Sequence, residues 1–157
     1  MTREAGSSMK RTTAAALFGL VMLYPPAGAD AQGATTYRAR LSPVPLDAKM
    51  VGNVVGSGSV MATLTNTKLS ITGTFEGLRS PATAARIHKS PKPGIRGPAI
   101  FDLKVSTGSS GTIGGALELT AAQVQELAQG RYYVQLHSEQ APDGNLWGWL
   151  LLQESRR

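Results

Sequence analysis

The chain holds two histidines, His88 and His137, and no cysteine. Two imidazole nitrogens brought to one face of a sheet can grip a copper or zinc ion, because strand residues of the same parity project to the same side. Zinc and copper sites usually take at least one further ligand. Asp143 or Glu139, both in the segment after His137, are the candidates to complete one. Arg86 works against this chemistry. It lies two residues before His88, on the same face of the same strand, and brings a fixed positive charge and no lone pair. Copper or zinc on His88, His137 and Asp143 is therefore the alternative reading. A site without metal, in which both histidines bond loop carbonyls or orient a ligand, is the leading one.

A second group of candidates surrounds His88. Arg86, Lys89, Lys92 and Arg96 form the densest basic cluster, with no acidic residue between Glu76 and Asp102. Such a cluster can hold phosphate, sulfate or an acidic polymer, or simply be a solvated loop. Other catalytic constellations are weak: Ser106, Ser109 and Ser110 sit in a glycine turn without a nucleophile-elbow motif. Neither a phosphate-binding P-loop nor a dinucleotide fingerprint is present, and no recognised motif supports nucleic-acid binding. No catalytic residue is assigned.

The elements that must position these residues are mostly strands. Tyr37, Ala39 and Leu41 alternate with Arg38 and Arg40, the period of a half-buried strand. A glycine-rich loop over Leu46 to Gly58 follows, then a hairpin that joins Val60–Leu64 to Leu69–Phe75 through Asn66-Thr67. Ala84–His88 and Ala99–Val105 flank the basic loop Lys89–Pro98, and Ile113–Leu119 is the next strand. The period then changes: Thr120-Ala121-Ala122-Gln123 is a capping box, and Gly130 stands where a left-handed C-terminal cap belongs. The chain returns to strand over Arg131–His137, turns at Pro142–Asn145 and ends with Leu146–Leu152. About eight short strands and one helix predict an all-β antiparallel Greek-key sandwich or barrel.

Strand parity connects this fold to function. Tyr132, Val134 and Leu136 face the core, so Tyr133, Gln135 and His137 face away. A final hairpin sets 133 opposite 149 and 135 opposite 147, which puts Trp147 and Trp149 on the outer face as well. Ile87 points inward, so Arg86 and His88 point outward. Two indoles and a phenol exceed the apolar surface a monomer usually leaves bare. The N-terminal stretch, the Leu46–Gly58 loop or a partner is expected to cover them. Arg86, His88, Tyr133, His137, Trp147 and Trp149 are thus the candidate binding residues.

The N-terminus reads as an export signal: Lys10-Arg11, an uncharged run Ala14–Tyr24, and small residues that predict cleavage after Ala29 or Ala31. Residues 32–157 then form a single domain. Loss of Arg3, Lys10 and Arg11 with Glu4 and Asp30 lowers the net charge from +6 to +5. The expected location is secreted or periplasmic. The expected partner is an extracytoplasmic protein, a polysaccharide or a second copy of the chain. Without cysteine there are neither disulfides nor thiolate ligands, so the core alone must hold the domain.

Several of these motifs recur together. A-A-R-I-H, G-P-A-I-F-D-L, the run L-T-A-A-Q-V-Q-E-L-A-Q-G-R-Y-Y-V-Q-L-H and P-D-G-N-L-W-G, in this order between about Thr36 and Leu152, resemble the CHRD domain. This module is named from the secreted growth-factor antagonist chordin and also occurs in single-domain exported bacterial proteins. The resemblance implies a β-rich extracytoplasmic module without a defined bacterial activity. Where the family usually has A-H-I-H, this chain has Ala85-Arg86-Ile87-His88. Trp147 and Trp149 stand at positions that are commonly polar in the family. An H-x-H strand with a distant third histidine also looks like copper/zinc superoxide dismutase, and Arg86 replaces the first of those histidines here.

Overall fold

Alternating residues are buried along strands such as Thr35–Pro43 and Lys68–Glu76, whereas every residue of Tyr132–Ser138 is buried, and the inward-facing sets form a single core. The computed structural model describes residues 33–43 and 48–154. The expected signal peptide and its cleavage sites lie outside the described residues. The elements are β1 (Thr35–Pro43), β2 (Ser57–Thr65), β3 (Lys68–Glu76), β4 (Ala82–Lys89), β5 (Ala99–Val105), β6 (Gly111–Glu118), α1 (Ala121–Ala128), β7 (Tyr132–Ser138), β8 (Ala141–Trp149) and β9 (Leu151–Leu152).

The strands run in the order β2-β3-β6-β5-β4-β7-β8-β1-β9, and an additional β2–β1 pairing closes the sheet into a barrel. Every strand pair is antiparallel. Two strands turn the corners of this flattened barrel. β1 pairs with β2 over Thr35–Leu41 and then with β8 at Ser42 and Pro43. β5 pairs with β4 from Ala99 to Leu103 and with β6 at Lys104 and Val105. Each strand thereby serves both faces, and the wall of β4, β5, β7 and β8 carries the candidate residues. Among the described residues, no helix is long and apolar enough to cross a membrane.

The core contains Leu41, Ile71, Ile87, Ile113, Leu127, Tyr132, Val134, Leu136, Leu146 and Leu150. Ile87 and Val134, opposite one another on β4 and β7, are fully buried. Their burial fixes the parity of both strands and turns Arg86, His88, Tyr133, Gln135 and His137 to the other side.

The helix forms where its capping signal places it. Thr120 Oγ1 accepts from the Gln123 amide at 3.2 Å, and Gln123 Oε1 accepts from the Thr120 amide at 2.8 Å. Gly130 has φ of 68° and ends the helix. Thr120→Ala should lower stability by about 1 kcal/mol, read from the urea midpoint at unchanged slope.

The last hairpin differs from its expected form. The turn lies at Glu139-Gln140, and Pro142–Asn145 belong to β8. The pairings Tyr133–Trp149 and Gln135–Trp147 hold as expected, but the register shifts between Leu136 and Ser138, where Ser138 pairs with Ala141. The irregularity has a local cause. Gly144 has φ of 127°, so the proline-aspartate-glycine chemistry makes a bulge in the strand instead of its turn.

Candidate functional site

His88 stands opposite Tyr133, Arg86 opposite Gln135 and Ala84 opposite His137 on β4 and β7. Tyr133 and His137 are four residues apart, about 13 Å of extended strand. The two imidazole centroids are nevertheless 6.3 Å apart, with planes tilted by 33°. The rings therefore lean toward each other over the Arg86–Gln135 pair, and the two histidines converge.

Backbone carbonyls hold both rings. His88 Nδ1 lies 2.9 Å from the Gly97 oxygen, and His137 Nδ1 lies 2.8 Å from the Pro142 oxygen. A carbonyl oxygen only accepts, so each Nδ1 carries a proton and each neutral ring keeps its lone pair on Nε2. These Nε2 atoms are two of the three buried side-chain polar atoms that lack a hydrogen-bond partner among the described residues; Asn145 Oδ1 is the third. Burial pushes both imidazoles below their ordinary pKa, and the positive charges of Arg86 and Arg96 add to the effect. Both rings are thereby held neutral near pH 7.

Aromatic side chains continue the same face. Tyr133 stacks on His88 with centroids 5.0 Å apart. Trp149 lies 4.9 Å from Tyr133, and Trp147 meets its ring edge-on at 5.7 Å. Both tryptophans are half-buried. The cover on this face comes from the Lys89–Pro98 loop, which sequence reasoning did not assign to that role. The Arg96 guanidinium carbon sits 5.5 Å from the centre of the Trp147 ring. Gly97 bonds Tyr133 twice: its amide donates to the phenol oxygen at 3.1 Å, and its carbonyl accepts from the hydroxyl at 3.1 Å.

The loop is built to hold this position. Lys89 donates its amide to Pro98 at 2.9 Å, and Ser90 donates its amide to Arg131 at 2.8 Å. The buried Ser90 hydroxyl hydrogen-bonds the carbonyls of Lys92 and Ile95. A side chain on residue 97 would put Cβ 1.8 Å from the Lys89 carbonyl oxygen. Gly97 is thus a site residue that sequence reasoning missed, and its only signal was the R-G-P step in a proline-rich loop.

Two of the four residues of the basic cluster are engaged in ion pairs. Arg86 Nε bonds Asp102 Oδ1 at 2.9 Å. Lys89 pairs with Glu126, which also lies 3.6 Å from Arg131 and accepts from the Tyr132 hydroxyl at 2.9 Å. These bonds, led by that from Lys89, hold the Glu126 carboxyl below its usual range. Arg96 lies over Trp147, and Lys92 is exposed in the loop. The four cations do not gather around one empty position. Glu126, another residue that the sequence did not single out, draws Lys89 toward the helix.

The acidic candidates for a third metal ligand do not join the histidines. Asp143 and Glu139 are exposed, and no group of three or more His, Cys, Asp or Glu side chains is placed to hold a metal among the described residues. Asp143 instead presents its backbone carbonyl to Gln135 Nε2 at 2.8 Å. A separate open groove of about 880 Å³ touches this region only at Trp149, and its other walls mix polar and apolar residues of β1–β3 and the chain beyond β8, Phe75, Leu151 and Leu152 among them.

No curated protein and no solved structure matches the chain. The family model described as the CHRD domain matches residues 37–150, from β1 through the strand that carries both tryptophans. With that match over most of its length, the chain belongs to the CHRD domain family.

Proposed function

We propose that this CHRD protein is exported and acts as a non-catalytic binding module through Arg86, His88, Tyr133, His137, Trp147 and Trp149. The observation that carries this reading is the joining of both tryptophans of the chain with Tyr133 and His88 in one continuous aromatic cluster, in which Tyr133 is buried and both indoles stay partly exposed. The aromatic rings supply contact area at low entropic cost. The neighbouring guanidinium groups orient a polar or anionic group on the ligand. The ligand is an extracytoplasmic protein, a polysaccharide or a second copy of the chain.

Trp147→Ser should reduce retention of that ligand by at least about tenfold, as expected for a truncated hot spot, and leave unfolding cooperative. The measurement compares recovery of extracytoplasmic proteins and polysaccharides on immobilised wild-type and variant protein, with self-association read by sedimentation. Equal recovery and equal association in both would contradict the reading. Export is tested on the protein recovered outside the cytoplasm, whose N-terminal sequence should begin at Asp30 or Gln32.

A further inference from the structure

Two buried lone pairs without partners are a costly arrangement for a protein to keep unless something fills the space between them. The anchors of the two rings lie at opposite ends of the face. His88 is tied by Nδ1 to Gly97 of the covering loop, and His137 by Nδ1 to Pro142 beyond the hairpin turn. With each Nδ1 tied to a carbonyl, Nε2 is the nitrogen left without a partner on each of the two converging rings. Bonding of Nδ1–H to a backbone carbonyl is also the arrangement that fixes the tautomer of a metal-binding histidine and makes its other nitrogen more basic.

We propose that His88 Nε2 and His137 Nε2 hold one monovalent soft cation, Cu(I) or its analogue Ag(I), in near-linear two-coordination. The proposal rests on the outer-face reading and names one ligand of that same face. The spacing fits. A ring nitrogen lies about 1.1 Å from the imidazole centre and metal–imidazole bonds are about 2.0 Å, so an ion between facing rings separates the centroids by about 6.2 Å. The observed separation is 6.3 Å.

The donor count selects the ion. Zinc and Cu(II) need three or four ligands, and among the described residues no carboxylate joins the pair, whereas Cu(I) is satisfied by two. The charge environment selects in the same direction. Arg86 and Arg96 both act on the histidines, which penalises a second positive charge more than a first. The Arg86 charge is partly offset by Asp102 at 2.9 Å.

The test is an anaerobic titration of untagged protein with Cu(I) against a chromogenic cuprous chelator, and a parallel titration with Ag(I). One equivalent should bind, with affinity at least about 100-fold lower in both His88→Ala and His137→Ala, and with Zn(II) at least about 100-fold weaker than Cu(I). No bound Cu(I) or Ag(I), unchanged affinity in both variants, or Zn(II) bound as tightly as Cu(I) would each overturn the proposal. A variant that fails to fold is replaced by a nitrogen-15 spectrum of the wild-type protein. Ag(I) should displace both Nε2 resonances, and resonances that stay in place would overturn the proposal. Loss of the metal result with Trp147-dependent retention intact removes the cation alone. Loss of that retention with the metal result intact removes the wider binding-module reading alone.

Discussion

Gly97→Ala should lower the stability of the domain by about 2–3 kcal/mol, although residue 97 lies in a loop and not in the core. The added Cβ would sit 1.8 Å from the Lys89 carbonyl oxygen and 2.7 Å from its carbon. Both are backbone atoms at the end of β4, and neither can rotate away. The loop must lift, and three hydrogen bonds leave with it: the one from His88 Nδ1 and the two that Tyr133 makes with Gly97. Tyr133 is almost fully buried, so its hydroxyl would lose both partners where water cannot readily replace them. Urea denaturation should show the midpoint falling at unchanged slope, and tryptophan emission of the folded variant should shift as Arg96 leaves Trp147. An unchanged midpoint would mean that the loop moves freely and does not anchor His88.

The second large effect is on pH dependence. Unfolded histidines titrate near pH 6.5, whereas burial and the two arginines lower both values in the folded protein. Above about pH 7.5 neither state is protonated and stability should be flat. As the pH falls through 6.5, the unfolded chain takes up protons that the folded chain refuses, so stability drops. The drop is at most about 1.4 kcal/mol per pH unit for each histidine, and it ends once the folded rings also protonate. Acid loss of the Glu126 pairs lies lower, below the usual carboxylate value, and is separable. Denaturation midpoints of metal-free protein between pH 8 and 5 measure this, and His137→Asn should about halve the slope. A midpoint that stays flat across that window would show the rings to be as easily protonated as free imidazole.

Period-two alternation makes the candidate face legible in the amino-acid sequence alone. Once Tyr132, Val134 and Leu136 are assigned to the core, Tyr133, Gln135 and His137 must share the other side, and the hairpin register follows for Trp147 and Trp149. The observed pairings of Tyr133 with Trp149 and Gln135 with Trp147 have this origin. The helix is legible because its capping box is a local signal.

Long-range partners are not legible in the same way. Lys89 and Glu126 are separated by a loop, two strands and half a helix, and nothing local marks their pairing. The hairpin turn is misplaced by sequence because Pro-Asp-Gly serves a bulge as well as a turn, and Gly144 satisfies both with the same positive φ. The anchoring of each Nδ1 depends on where two loop carbonyls fall, which no periodicity encodes.

The cation site and the pH dependence both depend on His88 and His137 being neutral, tied by Nδ1–H to the carbonyls of Gly97 and Pro142, with two buried Nε2 lone pairs beside the aromatic cluster. Long-range nitrogen-15 correlation spectra of the histidine side chains, recorded on metal-free protein at about pH 7.5, where free imidazole is also neutral, read that state without a variant. Both rings should be the Nδ1–H tautomer, the minor form of free neutral imidazole, each with an Nε2 resonance in the range of an unprotonated nitrogen. Rings found as the Nε2–H tautomer, or averaging between the two, would refute the arrangement.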